Sequence, residues 1–262
     1  MKNNVDNTIE EILEKLSEVE RKENVKVLYA VESGSRAWGV ESPDSDYDVR
    51  FVYVRHKADY LKLEEGKDVI EWQLDEVLDI NGWDLKKTLI QFHKGNATLF
   101  EWASSPIVYK VTKEWQAVCE SVKPYFSVKA ALYHYYGTAN STFKQFLQEE
   151  TVKYKKYIYA LRPLLACNYI MEHREVPPVK FEELLRQPLP EELLLEIETM
   201  LRIKADSDEK ALHPKLPVIQ KYIEEKTEEF GEISKSMKDD RNPDWTALNQ
   251  VFLRILEEGR IL

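Results

Sequence analysis

Two apolar runs, 27–31 and 49–54, bracket a Gly34-Ser35 turn and an Asp44-Ser45-Asp46-Tyr47-Asp48 stretch, and that order of parts limits the folds open to the chain. Each run is short, rich in β-branched and aromatic residues and bounded by turn signals, so each reads as a buried strand. Side chains alternate faces along a strand, which puts Asp46 and Asp48 on one side, about 7 Å apart at the strand rise. Two carboxylates so close repel one another, and a cation is what favours the arrangement. Mg²⁺ suits it, because it takes oxygen ligands and shares one or two carboxylates with substrate phosphates. Arg50 falls on the same side and reads as an ion-pair partner for the two acids.

Counting excludes two other motifs. Asp44, Asp46 and Asp48 match the first ligands of an EF-hand loop, but Val49 and Arg55 stand where that loop needs Gly and Glu. Gly34 to Gly39 begins a P-loop pattern, yet Val40 and Glu41 follow in place of Lys and Ser or Thr. Gly34 and Ser35 retain a phosphate-binding reading of their own. Glycine lets backbone approach a triphosphate closely, and the N–H groups of the helix that follows, with the Ser35 hydroxyl, donate to anionic oxygens. Arg36, one residue on, either reaches the same phosphates or pairs with Asp44 or Glu41.

The chain has 262 residues, enough for one large domain or two modest ones. Its net charge of −10 argues against a long nonspecific nucleic-acid groove, while a local basic patch stays open. Cys119 and Cys167 are the only cysteines and have no matching His spacing, so neither a zinc site nor a disulfide framework is expected. The absence of a long apolar stretch or an apolar leader points to a soluble, cytoplasmic protein.

Along the chain, Asn7-Thr8 is placed to cap a helix with apolar positions Ile9, Ile12, Leu13, Leu16 and Val19. Strands are expected at 26–31, 46–54 and 68–74, with Leu78-Asp79-Ile80 at or just past the third and a turn at Gly82. A helical period covers 83–94. From Ser127 onward glycine becomes scarce and helical periodicity dominates, through 130–148, 152–173, 181–185, 190–203, 216–230 and 244–256. The fold class is α/β (α+β): a small mixed sheet with flanking helices over 1–115, then an all-helical domain over 116–262.

The Gly-Ser turn, about ten intervening residues and a D-x-D on a strand resemble the polymerase-β-type nucleotidyltransferase signature. The match runs through Glu32-Ser-Gly-Ser-Arg-Ala-Trp-Gly39 and Ser42-Pro-Asp-Ser-Asp-Tyr-Asp-Val-Arg-Phe51. Further stretches, at 78–87, Glu101-Trp-Ala-Ser-Ser-Pro106 and Lys155-Lys-Tyr-Ile-Tyr-Ala-Leu-Arg-Pro163, are similar to the branch of that superfamily associated with RNA ligases. The resemblance implies transfer of a nucleoside monophosphate from a nucleoside triphosphate to an acceptor, conceivably an RNA end, with release of pyrophosphate. It implies two Mg²⁺ ions, replaceable by Mn²⁺, held by Asp46, Asp48 and a third carboxylate on a neighbouring strand. Asp79 matches the branch's later acidic position, and Asp84 is the alternative. The resemblance also assigns Lys155, on a helix of the second domain, to the nucleotide phosphates. Tyr159 and Arg162 share its helix face at i+4 and i+7 and would complete the contact. Two other roles fit the same signature: a nucleotide-binding regulatory or antitoxin-like module without turnover, and adenylylation of a protein.

Overall fold

The computed structural model describes residues 2–42, 45–64, 66–74, 77–205 and 211–258. Helix α1 (Lys2–Glu23) leads into β1 (Lys26–Ser33), the short helix α2 (Gly34–Trp38) and β2 (Tyr47–Val54). Strands β3 (Val69–Leu74) and β4 (Leu78–Asp84) precede α3 (Leu85–His93), α4 (Ala97–Ala103), β5 (Val108–Val111) and α5 (Lys113–Val122). The remainder is helical, with α6 (Val128–Phe146), α7 (Tyr154–His173), α8 (Phe181–Leu184), α9 (Glu191–Ala205), α10 (Pro217–Ser236) and α11 (Thr246–Glu258), except for a short antiparallel pair, β6 (Thr151–Val152) with β7 (His213–Pro214), that the expectation of an all-helical second domain missed. The expected mixed sheet with flanking helices, followed by a helical half, is what the chain forms.

The sheet order is β3-β4-β2-β1-β5. β2 and β4 run parallel, and the other three pairings are antiparallel. Val49, Phe51 and Tyr53 of β2 pack with Ile12, Leu16 and Val19 of α1. On the opposite face Val52 and Val54 pack with residues of α3, α4 and α5. Burial of both faces explains why 51–54 reads as a continuous apolar run rather than an alternating one. Each such side chain contributes about 1.5–3 kcal/mol on leaving water. α11 comes back to this face, where Leu248, Val251, Ile255 and Leu256 join the same cluster. A second core is built mainly from α6, α7, α9 and α10, with Ala97 of α4 reaching into it. Among the described residues no helix is long and apolar enough to cross a membrane.

Three local expectations are corrected. Asn7 and Thr8 lie inside α1, which starts at Lys2, so they do not cap it. Asp79 is not the tail of the third strand but the second residue of a separate one, β4. Gly82 is not a turn. It sits within β4 opposite Phe51 of β2, and a Cβ there would fall 2.1 Å from the Phe51 ring. The glycine is needed because the aromatic ring lies over its backbone, a close approach that a turn-based reading of Gly does not anticipate. Gly82→Ala is therefore expected to cost about 1–3 kcal/mol through overpacking, with Phe51→Leu restoring part of it. Urea denaturation checks this: a Gly82→Ala protein as stable as the parent would mean the ring has room to turn aside.

Candidate functional site

The site is assembled at one end of β2. The strand begins at Tyr47, so Asp46 stands exposed just ahead of it and Asp48 is its second residue. Antiparallel register sets Asp48 opposite Ser33 at the end of β1, and parallel register sets it opposite Asp79 on β4. Arg50, on the same face of β2 as Asp48, ties the two carboxylates together. Its Nη2 donates to Asp48 Oδ1 at 3.0 Å and to Asp79 Oδ2 at 2.6 Å. Its Nη1 donates to the Asp79 carbonyl at 3.0 Å. Burial raises the Asp48 carboxyl above its ordinary range. Arg50 and Lys155 pull it back, while the charges of Asp79 and Asp46 push it further up. The three acids therefore share one electrostatic environment, and Lys155 acts on it from the helical half.

Asp84 stands elsewhere. It is opposite Tyr53, five residues further along the same parallel pair, roughly 16 Å away at the strand rise. Its Oδ1 accepts the Lys86 N–H at 2.7 Å, capping α3, and its Oδ2 accepts the Tyr60 hydroxyl at 2.7 Å. Of the two candidates for a third carboxylate, Asp79 is the one beside Asp48.

Gly34 is required twice over. Its φ of +61° favours glycine, and a Cβ there would lie 2.2 Å from Asp48 Oδ2. The turn and the D-x-D strand thus touch. Behind this contact lies a residue that the sequence reading did not single out. Glu32 is fully buried, and its Oε1 accepts the Asp48 N–H at 2.7 Å. Its other oxygen accepts the Tyr109 hydroxyl. The available signal was an acid ending an apolar run, 27–31, next to a turn.

The helical half supplies the opposite wall. Ser35, Val40, Lys155, Ile158, Tyr159 and Lys204 line a cleft of about 10 Å³. Lys155 and Tyr159, which share one helix face, therefore line the cleft together with Ser35 of the turn. Lys204, near the end of α9, donates to the Val40 carbonyl at 2.9 Å and to Ser42 Oγ at 2.7 Å. No local sequence pattern marks it. Arg36 is engaged with backbone: its Nε donates to the Asp46 carbonyl at 3.1 Å, and its guanidinium lies 3.8 Å from the Tyr47 ring centroid. It braces the approach to β2; of the two roles left open for it, phosphate contact or a pair with Glu41 or Asp44, the second falls partly on Asp44, which lies outside the described residues. Arg162 departs most from expectation. It is 2% exposed and its Nη1 donates to Glu101 Oε2 at 3.0 Å, so it serves a buried ion pair and not the cleft. The tryptophans pack: Trp38 lies edge-on to Tyr159 at 5.1 Å, and Trp83 meets Trp102 at 4.9 Å.

The donor chemistry at Asp46, Asp48 and Asp79 is carboxylate oxygen throughout, which suits Mg²⁺ or Mn²⁺. Among the described residues, however, no three His, Cys, Asp or Glu side chains converge into a ready-made metal cage. The set fits an ion that shares two carboxylates with substrate phosphates, the habit of Mg²⁺, rather than one enclosed by protein.

A mixed sheet that brings a Gly-Ser turn against paired carboxylates, with a basic helix face opposite, is the arrangement of a polymerase-β-type protein. The family described as "RNA repair pathway DNA polymerase beta family" (RlaP) matches residues 8–254, and the chain belongs to it. "Uncharacterized protein YcgL" of Bacillus subtilis (strain 168) is 42% identical over 252 residues, which are 94% of this chain and 96% of that protein. Among solved structures, a nucleotidyltransferase-like protein from Exiguobacterium sibiricum 255-15 is 10% identical, with 95% of this chain and 81% of that one covered. Its TM-score is 0.28, and that likeness carries no argument.

Glu32 makes stability pH-dependent. Burial lifts its carboxyl from the ordinary 4.5 to about 7. A raised carboxyl binds its proton more tightly folded than unfolded, so its contribution is fully present below pH 4.5 and is lost as pH rises through about 7. The loss amounts to about 3 kcal/mol. Glu32→Gln, which cannot ionise, is expected to gain on the parent by up to that amount between pH 4.5 and 8 in urea denaturation. Parallel pH profiles for the two proteins would show that Glu32 does not titrate in this window.

Proposed function

We propose that the protein is a metal-dependent nucleotidyltransferase that moves a nucleoside monophosphate from a nucleoside triphosphate to an acceptor; an RNA end is our reading of the acceptor, supported by a family described as one of an RNA repair pathway. The observation that carries this reading is the pairing of Asp48 with Asp79 across parallel strands, pressed against the Gly34 turn and acted on by Lys155. Asp48 and Asp79, with Asp46 at the rim, would hold Mg²⁺ or Mn²⁺, which supplies charge neutralisation at the phosphates. The Ser35 turn and Lys155 bind the polyphosphate from either side of the cleft. The acceptor oxygen forms a bond to the α-phosphorus as the bond from that phosphorus to the bridging oxygen breaks, and pyrophosphate leaves. The proton of the acceptor hydroxyl passes to Asp79.

A nucleotide-binding module without turnover is the second reading, and one feature favours it. Arg50 already satisfies both carboxylates, so an ion entering the site must compete with a guanidinium. Protein adenylylation differs from the first reading only in the acceptor. The two readings part on a pyrophosphate assay with each of the four nucleoside triphosphates, Mg²⁺, and either total RNA or no acceptor. Asp48→Asn and Asp79→Asn are each expected to lower pyrophosphate release at least about 100-fold while leaving the circular dichroism spectrum unchanged. Full activity in either variant would remove the carboxylate assignment. Nucleotide binding without release under any condition would leave the regulatory reading.

A further inference from the structure

We propose that Glu101 is a positioning residue of the nucleotide site, setting where the Lys155 helix stands against the Ser35 turn. The inference rests on the nucleotidyl-transfer reading and adds to it a residue that touches no substrate. Glu101 lies on α4, between the sheet and the helical core, with 14% of its side chain exposed. Its Oε1 accepts the Trp38 indole N–H at 2.8 Å. Its Oε2 accepts from Arg162 Nη1 at 3.0 Å and from the Tyr135 hydroxyl at 3.1 Å. One carboxylate thus joins α2, α6 and α7. Trp38 ends the helix that Gly34 and Ser35 begin, and Arg162 lies two turns along α7 on the face of Lys155.

The indole is contacted twice by α7. Tyr159 stands edge-on to it, and the Arg162 guanidinium is 4.5 Å from its ring centroid. Arg162 is locked in turn by its Nε, which donates to the Val179 carbonyl at 3.0 Å. Its Nη2 is buried without a hydrogen-bond partner. Desolvating two opposite charges costs several kcal/mol each, and apolar residues of like volume hold such a junction as well or better. An ion pair adds direction. Glu101 gives one oxygen to Trp38 and the other to Arg162, so the directions of these two bonds tie the rotation and height of α7 to α2. That relation sets the distance between Ser35 and Lys155, the span that a polyphosphate must bridge, while Asp48 and Asp79 are fixed independently by the sheet. Loss of the tie therefore weakens nucleotide binding and spares the chemical step.

Removing one partner alone strands a buried charge and endangers the fold. The test uses Glu101→Gln/Arg162→Met, which removes both charges, and Trp38→Phe, which keeps an aromatic ring but drops the donor to Glu101. For each, the Kd of the Mg²⁺·nucleoside triphosphate complex, KM and kcat for pyrophosphate release, and Tm are measured against the parent. Both variants are expected to stay folded, with Kd and KM raised about tenfold in the double variant and about threefold in Trp38→Phe, and kcat within about threefold of the parent. If Trp38→Phe and any folded double variant bind nucleotide as the parent does, the hub only packs and the proposal falls. A drop in kcat that follows Tm, with KM unmoved, overturns it equally. A parent protein that binds no nucleotide sinks the transferase reading and Glu101's role with it, whereas parental binding that the variants share sinks the role of Glu101 alone.

Discussion

The parallel pairing of β2 with β4 is the constraint on which the site depends. It is set by two apolar faces buried at once, α1 on one side and α3, α4 and α5 on the other. A slip of one residue in either strand would exchange those faces and set each side chain against the wrong helices. The register that survives places Asp48 beside Asp79. The acidic pair is thus held in place by the packing free energy of the strands below it, which exceeds the repulsion between two partly exposed carboxylates. Arg50 and the backbone N–H bond to Glu32 then set the orientation of what the register has brought together.

The two halves are joined by polar side chains that cross between them. Glu101 and Arg162 tie α2 to α7, and Lys204 reaches from α9 to the Val40–Ser42 backbone and hydroxyl. These contacts hold the wall bearing Ser35 against the wall bearing Lys155. The polar ties govern how far the basic helix stands from the turn.

Local chemistry made much of this legible. A Gly-Ser turn before a short helix, an alternating D-x-D-x-R at a strand start, and a Lys followed by a Tyr at i+4 on a helix each carry their geometry in their spacing. Gly34, Asp48, Arg50, Lys155 and Tyr159 are accordingly found together. Arg162 shows where spacing stops informing. Position i+7 put it on the right face of α7, but its partner is Glu101, sixty-one residues earlier, and that partner draws it into the core. Gly82 shows the same limit for backbone, since its need for no side chain comes from a ring on another strand.

The sequence by itself determined strands β1 to β3, the turn at Gly34 and the helical character of the second half, because each is written in contacts within a few residues. Only the tertiary structure decided which acid stands third, that Glu32 is buried behind Asp48, that Lys204 reaches the turn and that Arg162 is spent on Glu101. Those outcomes depend on strand register and on which helix faces which, and both are set by burying apolar surface across the whole chain rather than by any residue's neighbours in sequence.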